Sequence, residues 1–405
     1  MRAVSATSEV LYVLPLLERA GAERVVAELA RRLPAHGFRS SVLCLEDERA
    51  PIGIELAAEG ISVQGLRLSR RRTLACAWAL AKLIPPRRPL IVHAHLFHAN
   101  LAARLAYACL SKEERNGLHM LSTVHVVERR WRPWQFALDR LTARYARVEV
   151  CVSRAVARFQ QERTRLPAGF FRVIENGIDL RRFVAQPSGL RHNPEDCATG
   201  SPRNPEDCVT APLVVSIGRL DRQKDFPTLL RAWRIVNARL PAARLAIAGV
   251  GSEAARLRAL CEKLELRNVE FSGFVADVAA WLQGASLYVQ SSAWEGFGLA
   301  VAEAMACARP VIVSDADSLP ELVTHGQTGL VFPKGRHADL AEAMLNLLQD
   351  PPRAAELGVA ASAEAQRRFS VERMAAEYAR LYQEIVSVHP LPRGERADVS
   401  EANAG

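Results

Sequence analysis

The sequence predicts an α/β protein made of two doubly wound parallel-sheet domains. Short apolar runs alternate with segments of helical periodicity, as in PLIV followed by ANLAARLAYACL and LVVSIG followed by FPTLLRAWRIVNARL. This alternation is typical of parallel strands with helices on both faces of the sheet. The strand segments are continuously rather than alternately apolar, which indicates sheets buried on both sides. The 405 residues exceed one ordinary domain and suit two.

A segment near the middle of the chain interrupts the alternation and marks the domain boundary. It is rich in Pro, Gly, Ser and Asn, and the motif NPEDC occurs in it twice, at residues 193–197 and 204–208. Such composition is typical of an exposed linker; a Cys197–Cys208 disulfide is the alternative explanation. The predicted parts are a first domain (1–185), the linker (186–211), a second domain (212–373), a last helix that returns to the first domain (about 374–388) and a flexible tail (390–405).

Cysteine usage and hydropathy indicate a cytoplasmic protein without a membrane span. No apolar run approaches the ~20 residues that a spanning helix needs. The eight cysteines are scattered without a C-x-x-C pair, as in a reduced compartment. No Cys/His cluster has the spacing of zinc ligands, so no metal site is predicted.

The positive charge is concentrated in the first half of the chain. The net charge is +9, and residues 1–186 hold 30 Lys and Arg against 17 Asp and Glu. A solvated, Arg-rich surface is one interpretation. Contact with the anionic inner face of the cytoplasmic membrane is the other, because each basic residue near such a surface contributes about 1 kcal/mol. No nucleic-acid-binding motif is present, so nucleic acid is not an expected partner.

The segment SSAWEGFGLAVAEAMACARP, residues 291–310, is the strongest site candidate. Glu295 precedes a Gly-Phe-Gly turn, and Glu303 follows inside an apolar, Ala-rich helix. A helix that begins near Gly298 leaves the N–H groups of Phe297, Gly298 and Leu299 without intrahelical partners, and such a helix start binds anions or polar oxygens. We expect one carboxylate to hold sugar hydroxyls and the other a ribose.

A second loop adds two cations to this site. Arg219 and Lys224 follow Gly218 at the end of the strand LVVSI, and both can converge on one phosphate. Two solvated surface cations are the alternative. Paired carboxylates beside these cations favour a phosphate-bearing donor over two-carboxylate hydrolysis. The patterns Asp315-Ala316-Asp317 and Gly249-Val250-Gly251 lack the context of a metal site or a dinucleotide site.

Four histidines, His93, His95, His98 and His125, follow apolar strand segments. Packing or capping is the ordinary role of a lone histidine at a strand end. His125 is the best functional candidate because it also precedes a basic, Trp-containing segment.

In their order along the chain, these motifs resemble those of the retaining glycosyltransferases of family 4, whose GT-B fold has two facing Rossmann-like domains with a cleft between them. The resemblance spans nearly the whole chain. Its elements are Ala20-Gly-Ala-Glu-Arg24, His93-Ala-His95, Thr123-Val-His125, Asn176-Gly-Ile-Asp179, Gly218-Arg-Leu with Lys224, Gly273-Phe-Val275, Glu295-Gly-Phe-Gly-Leu with Glu303, and Thr328-Gly-Leu-Val-Phe-Pro333.

The resemblance implies a nucleotide-sugar donor, a glycan or lipid-linked acceptor and no separate cofactor, in the synthesis of cell-surface polysaccharide or lipopolysaccharide. The implied roles are donor diphosphate for Arg219 and Lys224, ribose for Glu303, sugar hydroxyls for Glu295, sugar contact for Phe297, Gly298 and Leu299, base contact for Val275, phosphate approach for Gly21, and a place beside the reactive carbon for His125. A nucleotide-sugar epimerase of the same fold and an inactive sugar-nucleotide-binding protein are the alternatives.

The sequence departs from the family pattern in three places. Ala20 and Ala308 stand where glycine is usual, and Asp317-Ser318 replaces a Gly-Gly pair. The last change lies where donor phosphates or sugar pass, so we expect it to bear most on donor geometry.

Overall fold

The computed structural model describes residues 8–84, 90–127, 129, 131–183 and 211–388. The NPEDC duplication and the tail lie outside the described residues. The strands are β1 (Ser8–Leu14), β2 (Phe38–Cys44), β3 (Ser62–Gly65), β4 (Leu90–His95), β5 (Leu118–Val124), β6 (Val148–Cys151), β7 (Phe171–Val173), β8 (Leu213–Ile217), β9 (Arg244–Ala248), β10 (Val269–Gly273), β11 (Leu287–Gln290), β12 (Val311–Ser314) and β13 (Leu330–Phe332).

Helices connect nearly all of these strands. They are α1 (Gly21–Arg32), α2 (Pro51–Ala58), α3 (Thr73–Leu83), α4 (Phe97–Cys109), α5 (Lys112–Arg115), α6 (Pro133–Ala143), α7 (Arg154–Thr164), α8 (Phe226–Arg239), α9 (Ala254–Lys263), α10 (Val278–Gln283), α11 (Leu299–Ala306), α12 (Leu319–Leu322), α13 (His337–Gln349), α14 (Pro351–Arg368) and α15 (Val371–Val388). In the part of the chain that the structure describes, none of them combines the length and apolar character that crossing a membrane requires.

The strands form two sheets whose order confirms the predicted doubly wound architecture. The first sheet has the order β3-β2-β1-β4-β5-β6-β7 and the second β10-β9-β8-β11-β12-β13. The neighbouring strands whose register is defined run parallel. In each sheet the order reverses beside its first strand, and in such sheets ligands bind beyond the carboxyl ends of the strands at that reversal.

The second sheet is covered on both faces, as its continuously apolar strands predict. Val214 of β8 belongs to a core with Leu229 and Trp233 of α8. The next residue, Val215, belongs to the opposite core with Met305 of α11. Because successive side chains of a strand point to opposite faces, helices must cover both sides of this sheet.

The contacts divide the chain into two compact units. The first unit contains the described residues within 1–123, 141–149 and 376–405, and the second contains those within 124–140 and 150–375. His125 therefore belongs to the second unit, with Arg219, Lys224, Glu295 and the rest of the site predicted around residues 291–310.

Candidate active site at the carboxyl edge of the second sheet

The loop after β8 is shaped by close backbone approaches. A Cβ atom on Gly218 would lie 2.9 Å from Cε of Lys224, so the missing side chain makes room for the lysine stem. A Cβ on Gly249 would lie 1.9 Å from the Gly218 carbonyl oxygen, and one on Gly251 would lie 2.3 Å from that of Leu220. Gly249 and Gly251 thus pack closely against the loop that carries Lys224.

Glu295, which follows β11, is a buried carboxylate with several hydrogen-bond donors around it. It is 7% exposed. It accepts hydrogen bonds from Nζ of Lys224 at 2.5 Å, Oγ of Ser292 at 3.1 Å and Nε2 of Gln223 at 3.4 Å. Bonds between an ionised donor and a carboxylate are strong and short. Glu295 and Lys224 are therefore held at fixed positions, and Gln223 and Ser292 are site residues that the sequence analysis missed.

A chain of buried hydrogen bonds supports this carboxylate from β11. The Tyr288 hydroxyl donates to Gln290 Oε1 at 2.5 Å, and Gln290 Nε2 donates to Ser292 Oγ at 2.7 Å. Burial, together with the charges of Glu303 and Glu295, raises the pKa of Tyr288 well above its usual value. Both carboxylates thus act on one buried phenol. Glu303 is 2% exposed, as expected from its apolar surroundings in the sequence.

The turn between the two glutamates presents backbone donors. Gly298 caps α11 in a left-handed conformation, with φ of 102°, which glycine adopts readily. Among the described residues, the N–H groups of Phe297, Gly298 and Leu299 have no hydrogen-bond partner. The helix start that the sequence predicts is therefore present, with three amides able to bind an anion or a polar oxygen.

The segment after β5 lies directly against this turn. A Cβ on Gly296 would lie 2.0 Å from the His125 carbonyl oxygen and 2.6 Å from Cα of Val126. The His125 side chain is half-buried. Burial lowers its pKa to about 3, so the imidazole is neutral at physiological pH. The His125 imidazole can thus offer a neutral donor or acceptor, but not a stable positive charge.

Asp317 and Ser318, which depart from the family pattern, brace the same turn. Asp317 accepts the Glu295 N–H at 3.2 Å and pairs with Nη2 of Arg129 at 2.6 Å. Ser318 Oγ donates to the carbonyl oxygens of Glu295 at 3.3 Å and Phe297 at 3.1 Å. Asp317 and Ala308 both have left-handed backbones, with φ of 45° and 54°. Glycine suits that conformation, which explains physically why it is usual at both positions.

The other predicted site residues are placed less centrally. Arg219 is largely exposed and bonds Asp221 at 3.2 Å and Gln223 at 3.3 Å, so in this structure it does not share a partner with Lys224. Val275 is half-buried two residues after β10. Gly21 is the exposed first residue of α1 and belongs to the first unit.

Family comparisons identify the class of protein that this fold and site define, a glycosyltransferase of the GT-B fold. The family model described as Glycosyl transferases group 1 matches residues 203–364, and the one described as Glycosyltransferase Family 4 matches residues 19–182. Together the two models match both halves of the chain and support its assignment as a family 4 glycosyltransferase. The prediction of a glycosyltransferase that uses a nucleotide sugar in glycan synthesis is thereby confirmed.

Individual relatives and structures agree with this assignment. A GDP-mannose-dependent monoacylated alpha-(1-6)-phosphatidylinositol monomannoside mannosyltransferase of Corynebacterium glutamicum is 28% identical over 285 residues, 67% of this chain and 72% of that protein. The lipopolysaccharide core biosynthesis mannosyltransferase LpcC of Rhizobium leguminosarum is 30% identical over 231 residues, which are 53% of this chain and 60% of that protein. The crystal structure of Anabaena Alr3699/HepE in complex with UDP-glucose superposes with a TM-score of 0.78 at 20% identity, covering 93% of this chain and 99% of that one.

Proposed function

We propose that the protein transfers a hexose from a nucleoside diphosphate sugar to a glycan or lipid-linked acceptor, with retention of configuration and without a metal ion. The observation that carries this proposal is the fixed Lys224–Glu295 pair beside the three unbonded amides of residues 297–299. A cation, a carboxylate and oriented N–H groups suit a ligand with both phosphate and hydroxyl groups. Retention is what the family resemblance implies.

The donor is assigned to this site through the residue roles that the family resemblance implies. Arg219 and Lys224 bind the diphosphate, Glu303 the ribose and Glu295 the sugar hydroxyls. Relatives named as GDP-mannose-dependent and a structural neighbour bound to UDP-glucose support a nucleoside diphosphate sugar as the donor class. By the same family roles, Val275 contacts the base.

The leaving diphosphate gains negative charge as the bond to the sugar breaks. Arg219, Lys224 and the start of α11 can stabilise that charge, because donors held in place before the reaction need little reorganisation during it. By the same family roles, neutral His125 lies beside the reactive carbon of the sugar, and the start of α11 contacts the sugar as well as the diphosphate. Loss of one such donor typically costs 10²–10³-fold in rate.

The acceptor belongs to cell-surface glycan synthesis, and the protein works at the inner face of the cytoplasmic membrane. Two relatives named for phosphatidylinositol monomannoside and lipopolysaccharide core synthesis support a lipid-linked acceptor. The basic excess of residues 1–186 supports peripheral contact with anionic lipid.

The test is sugar transfer by Arg219→Ala and Lys224→Ala, assayed with UDP-, GDP- and ADP-sugars and membrane extract as acceptor. We expect each variant to lose at least about 10²-fold in kcat/KM. Arg222→Ala is the matched control, since Arg222 is an exposed cation of the same loop, 3.9 Å from Glu253, and has no assigned role. Full activity in both Lys224→Ala and Arg219→Ala would show that the phosphate site is wrong.

Two further measurements separate the finer points. Product NMR reports the anomeric configuration, and activity that persists in EDTA supports metal independence. Interconversion of a nucleotide sugar without acceptor would instead indicate an epimerase. Nucleotide binding without turnover in any extract would indicate an inactive binding protein.

A further inference from the structure

Helix α3 of the first unit carries an apolar surface that nothing in the donor site accounts for. Its buried residues, Cys76, Ala77 and Leu80, lie on one face. On the other face Leu74 is 76% exposed and Trp78 63% exposed. Leu74, Trp78 and Lys82 follow one another at i,i+4 spacing and therefore form one stripe along the helix.

The exposed surface of this helix contains only apolar and basic side chains. From residue 71 to residue 83 the exposed residues are Arg71, Arg72, Leu74, Trp78, Lys82 and Leu83. Nζ of Lys82 lies 3.4 Å from the centroid of the Trp78 ring, so the cation and the indole occupy the same patch. This stretch contains no Asp or Glu. We call these six residues the α3 patch.

We propose that the α3 patch is the surface through which this protein docks on an anionic lipid bilayer. Helices that lie in a membrane interface combine Trp and Leu on the buried side with Lys and Arg at the polar edge. Trp favours the level of the lipid headgroups. This inference rests on the proposed function, because it locates the membrane contact of that enzyme on one helix.

Charge complementarity favours a bilayer over a second copy of the chain. In a dimer formed through the patch, Arg71, Arg72 and Lys82 of one copy would meet the same cations of the other, and like charges at an interface are unfavourable. An anionic lipid surface supplies the opposite charge and an apolar layer for Trp78 and Leu74. Attraction to such a surface falls off within a Debye length and weakens with salt.

The experiment is flotation of the full chain with phosphatidylcholine vesicles that contain or lack phosphatidylglycerol. We expect binding only to the anionic vesicles, and less of it at high salt. Leu74→Ser with Trp78→Ser should weaken the partition at least tenfold, and Arg71→Ala with Arg72→Ala should weaken it by about fivefold per charge. Val359→Ser is the matched control, since Val359 is 67% exposed on α14 of the second unit.

The outcomes distinguish this inference from the proposed function. Transfer to a water-soluble acceptor analogue should be unchanged in the Leu74/Trp78 variant, while transfer in membrane extract should fall. Unchanged flotation of that variant overturns the α3 assignment, whatever the transfer assay shows. A dimer of the wild type in sedimentation that the double variant abolishes overturns it in favour of a second copy. Binding of the α3 patch to a protein from the lysate, without binding to vesicles, would also overturn the assignment.

Discussion

Two groups of polar residues near the ends of central strands look alike in the sequence and differ in the structure. In the first sheet, His93 and His95 lie within β4 and are fully buried. The His93 ring nitrogens bond Tyr382 at 2.6 Å and Thr123 at 2.7 Å. In the second sheet, Glu295 follows its strand into a turn with unbonded amides. In the first group the polar side chains bond one another. In the second group a glycine-containing turn and a helix start leave backbone N–H groups that can bind a ligand.

The largest expected effect on this contrast comes from Gly296→Ala. The new Cβ would lie 2.0 Å from the His125 carbonyl oxygen, which is backbone and cannot move alone. We expect at least about 10²-fold loss of kcat/KM from misplaced donors. Overpacking should also lower the free energy of unfolding by about 1–3 kcal/mol. Transfer kinetics and urea denaturation measure the two effects.

Gly284→Ala provides the control for that substitution. Its Cβ would meet nothing closer than 3.7 Å, and Gly284 has a helical φ of −77°. We expect nearly wild-type activity and stability. If Gly296→Ala behaved like Gly284→Ala, the close approach between the His125 segment and the turn would be wrong.

The pKa of His125 predicts a pH dependence of stability. Burial lowers the folded-state pKa to about 3, below the unfolded value near 6.5, so between these values the unfolded chain binds the extra proton. Stability should therefore fall as pH drops below 6.5. Relative to His125→Gln, the wild type should lose about 2 kcal/mol of unfolding free energy between pH 7.5 and pH 5. The free energies of unfolding are measured by urea denaturation at both pH values. An equal change in the two proteins would contradict the lowered pKa.

The contrast also shows how far sequence alone reaches. Local patterns predicted the alternation of strands and helices, the start of α11 near Gly298 and the burial of Glu303. They could not predict that Tyr382, 289 residues from His93, closes the first group. Nor could they pair Arg129 with Asp317, 188 residues apart. Both depend on long-range contacts, which leave no periodic signal in a single sequence.

Tyr382→Phe tests whether the histidine group is structural. The variant keeps the ring, including its edge contact with Phe38, but removes the hydroxyl that bonds His93. A buried polar group without its partner costs about 1–3 kcal/mol. We expect a fall of that size in the free energy of unfolding and an unchanged kcat/KM for transfer at 25 °C. If the variant kept its full stability but lost most of its kcat, the histidine group would be catalytic. The contrast between the two groups would then be wrong.

The smallest expected effect concerns the brace on the open side, tested by Asp317→Asn. Asparagine tolerates the left-handed backbone and can still accept the Glu295 N–H, so the variant mainly removes the charge that pairs with Arg129. The Arg129 side chain is 43% exposed, and such a pair contributes up to about 1 kcal/mol.

We expect the donor KM to rise by up to about fivefold with kcat nearly unchanged, because the pair positions the turn without touching the reacting atoms. Raising the salt concentration should bring the wild type toward the variant, since salt screens an exposed pair more than the largely buried Lys224–Glu295 pair. Equal salt sensitivity of the two proteins would show that Asp317 acts through its shape alone.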